Sequence, residues 1–324
     1  MTWQKCVAPV GVLFLFIASS QADEGSGKWQ PLLDDYSRAQ LFQENLKTVA
    51  PAVTAGEASK ALDGPFVFPR NAVYDGGKQR KDSIFGIDIS HWTSVDPGCK
   101  RPLDASKDID FSTLSDQHVR FVYVKATQGV GYRDCRFLEY WKALGALPLA
   151  KGPLRGSYHF LSSDANGLDQ AKSFVRFREQ NGGFDKQELP PTLDLEWDKT
   201  KTVPDRWVTK TPQMIVQNAL EWLTYVEAHS GKRPMIYTSH EWLKQRKIPQ
   251  ELLAKLKTYQ IWLADYSPTR RAIEIPSKPA GFGWTFWQFT EDSQLSVGAT
   301  KALDASVFKG TDSEFVAIMR TSGQ

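Results

Sequence analysis

Two acidic side chains in one short apolar run are the residues of this sequence best placed to do chemistry. The run Pro190-Pro-Thr-Leu-Asp-Leu-Glu-Trp-Asp198 opens on a proline pair and carries Asp194 and Glu196 two positions apart, alternating with Leu193 and Leu195. In a β-strand successive side chains alternate faces, so residues i and i+2 project the same way. The two carboxyls then leave one face from Cα atoms roughly 6.5–7 Å apart. Where such a face lines a cleft, burial and the neighbouring charge push the two acidities apart. One acid holding its proton beside one that is ionised is what cleavage of a glycosidic bond requires. Outside a cleft, the same pair is a solvated strand end that carries two charges.

The elements around the pair decide between these readings. From Ser83 onward short apolar runs recur, most with a polar residue at or near the C-terminal end. They are 84–89 with Asp88, 120–126, 154–160 with Tyr158 and His159, 192–197, 234–238 with Tyr237, 260–266 with Trp262 and Asp265, 284–289 with Trp287 and Gln288, and 302–307 with Asp304. Helical patterns fill the early gaps at 137–147, 167–179, 211–230 and 241–256. The third begins Thr-Pro and stops at Gly231, the usual start and stop signals of a helix. After the sixth run no helical pattern returns until 313–320. Alternation of strand and helix predicts a parallel sheet with right-handed crossovers. Eight strands predict an α/β barrel, an irregular one because its last part lacks helices. Reactive groups in such barrels sit at the C-terminal strand ends. Asp88, Asp194, Glu196, Asp304, Tyr158, Tyr237 and Trp287 all fall near one.

Composition narrows the compartment and the partners. The formal net charge is only +3, with no dense Lys/Arg stripe, so nucleic-acid binding has no support. Aromatic residues make up 12% of the chain and 11 are tryptophan, a supply of flat faces that suits sugar rings as well as cores. Lys5, an apolar core from Val7 to Ala18 and the small-x-small site Ser20-Gln21-Ala22 read as a signal peptide over 1–22, cleaved near Ala22. The mature chain is then secreted or periplasmic, with no membrane span. Of the three cysteines Cys6 leaves with the signal, and Cys99 and Cys135 remain to form a disulfide in an oxidising compartment. Residues 23–82 read as an appendage: one amphipathic helix over 34–50, with Phe42, Leu46 and Val49 on a face and Pro51 ending it, then a Gly/Pro-rich linker with a basic end. Five histidines without metal-like spacing argue against a zinc site, and no cofactor or metal is expected.

The motifs Gly86-Ile-Asp-Ile-Ser-His-Trp92, Val124-Lys-Ala-Thr-Gln-Gly129, Gly156-Ser-Tyr-His-Phe160, Leu193-Asp-Leu-Glu196, Ile236-Tyr-Thr238, Ile261-Trp-Leu-Ala-Asp-Tyr266, Trp287-Gln288 and Leu303-Asp304 come in one order across residues 84–320. In that order and spacing the region resembles glycoside hydrolase family 25, the Chalaropsis-type lysozymes. The resemblance implies a barrel of five β/α units followed by three strands with little helix, spanning 83–324. It implies a retaining N-acetylmuramidase that cuts the β-1,4 bond between N-acetylmuramic acid and N-acetylglucosamine of peptidoglycan. By it Glu196 is the general acid/base, Asp194 its partner, and Asp88 and Asp304 the other two acidic site positions. Asp194 either attacks the anomeric carbon or orients the substrate's acetamido group. Tyr158, Tyr237, Tyr266, Trp287 and Gln288 are the candidates to contact the sugar, and the chain is expected to act as a monomer. Gln128 and Ser306 depart from the family pattern, which often has Glu and Asn there. Two other readings compete. A chitinase-like barrel needs a further Asp where Thr192 stands, and a non-catalytic glycan-binding barrel has no use for the acidic set. A Ser/His/Asp hydrolase would need a Gly-x-Ser-x-Gly elbow, which is absent.

Overall fold

The computed structural model describes residues 66–67, 74–75, 78–79, 83–148, 152–200, 202–267, 270, 275–299 and 301–318. The signal segment, the helix expected over 34–50 and most of the linker lie outside the described residues. Eight strands close into a barrel: β1 Ile84–Ile89, β2 Val119–Gln128, β3 Leu154–Phe160, β4 Thr192–Asp194, β5 Met235–Thr238, β6 Gln260–Ala264, β7 Phe286–Ser293 and β8 Leu303–Phe308. They neighbour one another in sequence order, and β1 pairs with β2 on one side and β8 on the other, which closes the ring. A ninth, short strand, Tyr132–Arg133, folds back on the end of β2.

Helices cover the first half of the wall. They are α1 Phe137–Gly145, α2 Gly167–Gln180, α3 Pro212–Ser230, α4 His240–Gln245 and α5 Gln250–Leu256, and α6 Asp312–Ile318 follows β8. The start and stop of α3 are as its sequence implies: the Thr211 hydroxyl accepts from the Met214 N–H, and Gly231 adopts φ 66°. The single helix expected over 241–256 is two. Lys247 takes φ 52° and Pro249 caps α5 in an extended conformation, because proline has no N–H to give a helix and disfavours helical geometry in the residue before it.

One strand departs from the all-parallel expectation. β8 runs antiparallel to both β7 and β1. Residues 294–302 form too short a link to carry a crossover helix, so the chain turns back as a hairpin. The start of β8 therefore sits at the rim where the other strands end.

The barrel interior is aromatic. Phe121 and Phe286 lie 4.8 Å apart by ring centroid, and Tyr123 and Trp262 4.9 Å. Phe308 and Phe315 of α6 close the end opposite the site. Rings this large need space on the facing strands. A Cβ at Gly86 would stand 2.2 Å from the Phe121 ring, and one at Gly156 2.3 Å from the Tyr123 ring. The two glycines are the positions where another group approaches the backbone closely. On the outside, Phe66 covers a part of the wall on which no helix stands among the described residues. It packs against Phe85 and Phe289 at 5.1 and 5.0 Å, and its carbonyl accepts from the Gln294 N–H. Phe66 and Val67 thus belong to the barrel although they precede residue 83 in sequence.

Candidate active site

The chain segments that carry the four acids lie at one rim. Asp88 is the next-to-last residue of β1, and Asp304, the second residue of β8, stands directly opposite it in the antiparallel register. Asp194 ends β4 beside Phe160 and Tyr237 of the neighbouring strands. The regular strand stops there, three residues short of the predicted end. Leu195 still donates its N–H to the Tyr237 carbonyl, and the chain bends at Glu196. Asp88, Asp194 and Glu196 are 7%, 2% and 5% exposed, so these carboxyls are buried and not a solvated strand end. Asp304 is half-buried.

Strand alternation brings the inward neighbours with them. Thr192 and Asp194 share a face, as do Gly156 and Tyr158. Asp88, Tyr158, Thr192, Asp194, Tyr237 and Trp262 line one small hollow. Gln288 joins its walls: its Nε2 donates to Asp88 Oδ2 at 2.6 Å, while its Oε1 accepts from the hydroxyls of Tyr237, at 2.6 Å, and Tyr266. Trp262 donates its indole N–H to the Ser306 hydroxyl at 3.0 Å, so the serine that replaces the family's frequent Asn still accepts a hydrogen bond here.

Trp287 does not reach the site. Gln288 points inward, so its neighbour must point outward. Trp287 is 0% exposed, packs against Trp284 and Phe289, and donates its N–H to the Asp265 carbonyl. Its ring offers no face to a sugar, contrary to the expectation from its place in the chain. Gln288 too is fully buried, so it acts on the residues around it and not on a ligand.

Sequence reasoning missed Lys125. It lies two residues beyond Tyr123 on β2, pairs in register with Tyr158, and donates to Gln128 Oε1 at 2.8 Å with its ammonium 5.0 Å from the Phe160 ring. A lysine in phase with Tyr123 inside an apolar strand was the available signal. Thr192 and Trp262 line the hollow, the first read only as a mismatch and the second mainly as packing.

The two histidines near the site are structural. His91 Nδ1 meets Asp134 Oδ2 at 2.7 Å, and its ring lies against Trp92. His159 faces away from the hollow, between Thr127 Oγ1 at 2.6 Å and Gln170 Oε1 at 3.2 Å, and stacks on Trp222. Burial pushes its pKa down to about 3, Arg133 and Lys125 act the same way, and the Gln170 hydrogen bond opposes them. Asp198 accepts from Ser162, Ser163 and Arg206, and Asp265 from the backbone of Ser267 and Ser277. Cys99 and Cys135 are bonded, tying the loop after β1 to the start of α1.

An acid-rimmed barrel with paired carboxylates at the end of β4 is the architecture of a glycoside hydrolase. Residues 103–297 match the family described as Glycosyl hydrolases family 25, and the chain belongs to that family. It is 27% identical to Lysozyme M1 of Streptomyces globisporus over 251 residues, 75% of this chain and 73% of that protein. It is 26% identical to the N,O-diacetylmuramidase of Arthroderma benhamiae over 242 residues, 69% and 86% of the two chains. The crystal structure of the bacterial lysozyme from Streptomyces coelicolor shares the fold with a TM-score of 0.59 at 24% identity, covering 74% of this chain and 98% of that one. Asp88 and Asp304 lie outside the matched span; the β1–β8 register sets them opposite each other, and Asp88 shares the hollow with Asp194.

Proposed function

We propose that this chain is a secreted, monomeric N-acetylmuramidase that cleaves the β-1,4 bond between N-acetylmuramic acid and N-acetylglucosamine in peptidoglycan, with retention. Membership of the family and the similarity to a lysozyme and a diacetylmuramidase support the substrate class. The observation that carries the assignment of residues is the buried hollow at the barrel rim, with Asp194 in its wall and Glu196 two residues on.

Glu196 starts protonated and gives its proton to the leaving glycosidic oxygen. The acetamido carbonyl oxygen of the muramic acid residue attacks its own anomeric carbon as that bond breaks. Asp194 accepts a hydrogen bond from the acetamido N–H and so holds the group in line for attack. Trp262, Tyr158 and Tyr237 offer ring surface for the acetamido methyl beside that carboxylate. The ionised Glu196 then takes a proton from water, which opens the cyclic intermediate from the vacated face. Two inversions at one carbon leave the configuration unchanged. Asp88 and Asp304 bind sugar hydroxyls or hold the pair in place.

Glu196→Gln keeps the shape and removes the transferable proton. It is expected to lower turnover on purified peptidoglycan about 10²- to 10⁴-fold while leaving glycan binding intact. Wild-type rates in this variant would sink the assignment. Mass spectrometry of the products should find N-acetylmuramic acid at the reducing ends. A thiazoline analogue of the cyclic intermediate should inhibit competitively.

Export by a signal segment cleaved near Ala22 belongs to the same reading. The Cys99–Cys135 disulfide supports it, since such bonds persist in oxidising compartments. Among the described residues no helix is long and apolar enough to cross a membrane.

A further inference from the structure

On the reading of this rim as a hydrolase site, we propose that Asp198 is a positioning residue for Glu196: it staples the chain just past that acid to the loop that follows β3, and so sets where the Glu196 carboxyl meets the leaving oxygen.

The sheet alone does not fix Glu196. The register of β4 ends at Asp194, and the chain bends at Glu196. A general acid must stand within hydrogen-bond reach of the oxygen it protonates, and a misplacement of about 1 Å costs on the order of 100-fold in rate. Contacts to one loop bracket the acid on both sides. Two residues before it, the Asp194 carbonyl accepts from the Leu161 N–H at 2.9 Å. Two residues after it, Asp198 Oδ2 accepts from the Ser163 N–H at 2.9 Å and the Ser163 hydroxyl at 2.8 Å. The Ser162 hydroxyl has one proton to share between Asp164 Oδ1 at 2.6 Å and Asp198 Oδ2 at 3.1 Å. The loop is itself pinned by Gln170, fully buried in the first turn of α2. Its amide accepts from the Ser162 N–H and donates to the Ser162 and Ala165 carbonyls.

The second carboxyl oxygen of Asp198 fastens the chain that follows. Oδ1 accepts from Arg206 Nη1 at 3.1 Å, the Asp198 carbonyl accepts from the Arg206 N–H at 3.1 Å, and the Asp198 N–H donates to Asp205 Oδ1 at 3.0 Å. Asp198 is 3% exposed, so it acts on this frame and not on a ligand. The backbone N–H of Ser163 and the guanidinium of Arg206 donate and never accept. Holding both takes two accepting oxygens, which a carboxyl has and an amide lacks. The two brackets differ in what survives their loss. Asp194 stays in the ladder between Phe160 and Tyr237 whatever happens at 198. Removing the Asp198 side chain therefore loosens Glu196 and leaves Asp194 where it is. The expected defect lies in delivery of the proton, not in orientation of the acetamido group.

The experiment compares kcat/KM, which reports the steps up to cleavage of the glycosidic bond, on two substrates. One is a soluble peptidoglycan glycan fragment, whose sugar leaving group needs a proton. The other is the dinitrophenyl glycoside of the N-acetylglucosaminyl-N-acetylmuramic acid disaccharide, whose phenolate leaves without one. Asp198→Ala is expected to lose about 10- to 100-fold on the fragment, within or below the roughly 10²- to 10⁴-fold that a general acid supplies, and far less on the dinitrophenyl glycoside. Asp198→Asn keeps one accepting oxygen for the Ser163 N–H and should lose less, with the same bias. A residue that only stabilised the fold would lower both rates alike. Equal losses on the two substrates, or wild-type rates of Asp198→Ala on the fragment, overturn the proposal. Where Asp198→Ala does not fold, Asp198→Asn decides on the same criterion. Glu196→Gln is the reference, since it removes the proton outright and should show the strongest bias. Wild-type rates in that variant sink the hydrolase assignment itself, whereas a biased Glu196→Gln beside an unbiased Asp198 variant sinks this proposal alone.

Discussion

Asp88 and Asp304 face each other directly across an antiparallel ladder, where side chains start about 4.5–5.5 Å apart and like charges destabilise. A sheet selected for stability alone would not pair them. The amide of Gln288 offsets part of the cost by donating to Asp88. A buried base elsewhere carries a different cost. The unfolded chain protonates His159 near its ordinary value of 6.5, while the folded protein holds it neutral down to about 3. Between these values the unfolded state binds the extra proton, so stability rises with pH through this window and is lost as pH falls toward 3. The full effect is on the order of 4–5 kcal/mol for a shift of this size. His159→Gln keeps a donor and an acceptor but cannot titrate. Its melting temperature should fall less steeply than that of wild type as the solution is acidified from pH 6.5. Parallel curves would remove His159 from the account. At this scale the two-residue spacing singled out Asp194 and Glu196; the structure places Asp194 in the wall of the hollow and bends the chain at Glu196, beyond the regular strand. The sequence could not separate Trp287 from Gln288. Barrel strands are buried on both sides, so apolarity does not mark which phase points inward.

At the scale of elements, strands were readable to within a few residues because short β-rich runs alternate with helical patterns. Their ends were less so. The fourth strand looked continuous to Trp197 on apolarity, but the chain bends at Glu196 and places that acid beyond the regular ladder. The two glycines at the heads of the first and third motifs had no stated reason in the sequence. Packing supplies it: they are the hollows into which Phe121 and Tyr123 fit. Gly86→Ala should therefore cost about 1–3 kcal/mol through overpacking, since the methyl meets a ring atom of a fully buried Phe121. Urea titration measures it as a shift in midpoint at constant slope. Phe121→Leu in the same chain should recover part of the loss by vacating the contested space. No recovery would place the strain elsewhere than between residue 86 and residue 121.

For the whole molecule, closure of an eight-strand barrel followed from the count of strands, but the direction of the last strand did not. Direction is set by what fits between β7 and β8, and the described residues of 294–302 hold no helix. Among the described residues no helix covers this part of the outer wall, and residues from before the first strand pack there. Phe66 is 3% exposed between Phe85 and Phe289, on a backbone bonded to Gln294. Composition marked that region as linker, because one anchoring phenylalanine among glycines and prolines leaves no periodic signal. Its role has a measurable consequence. Phe66→Ala opens a cavity over two other phenylalanines and should destabilise the barrel by about 3–5 kcal/mol. A chain that begins at residue 83 lacks the same ring and should be destabilised at least as much relative to one that begins a few residues before Phe66. Both should keep kcat at low temperature, because the ring lies outside the barrel and the acids within its rim. Equal stability of the two truncated chains would mean that the wall is covered without Phe66.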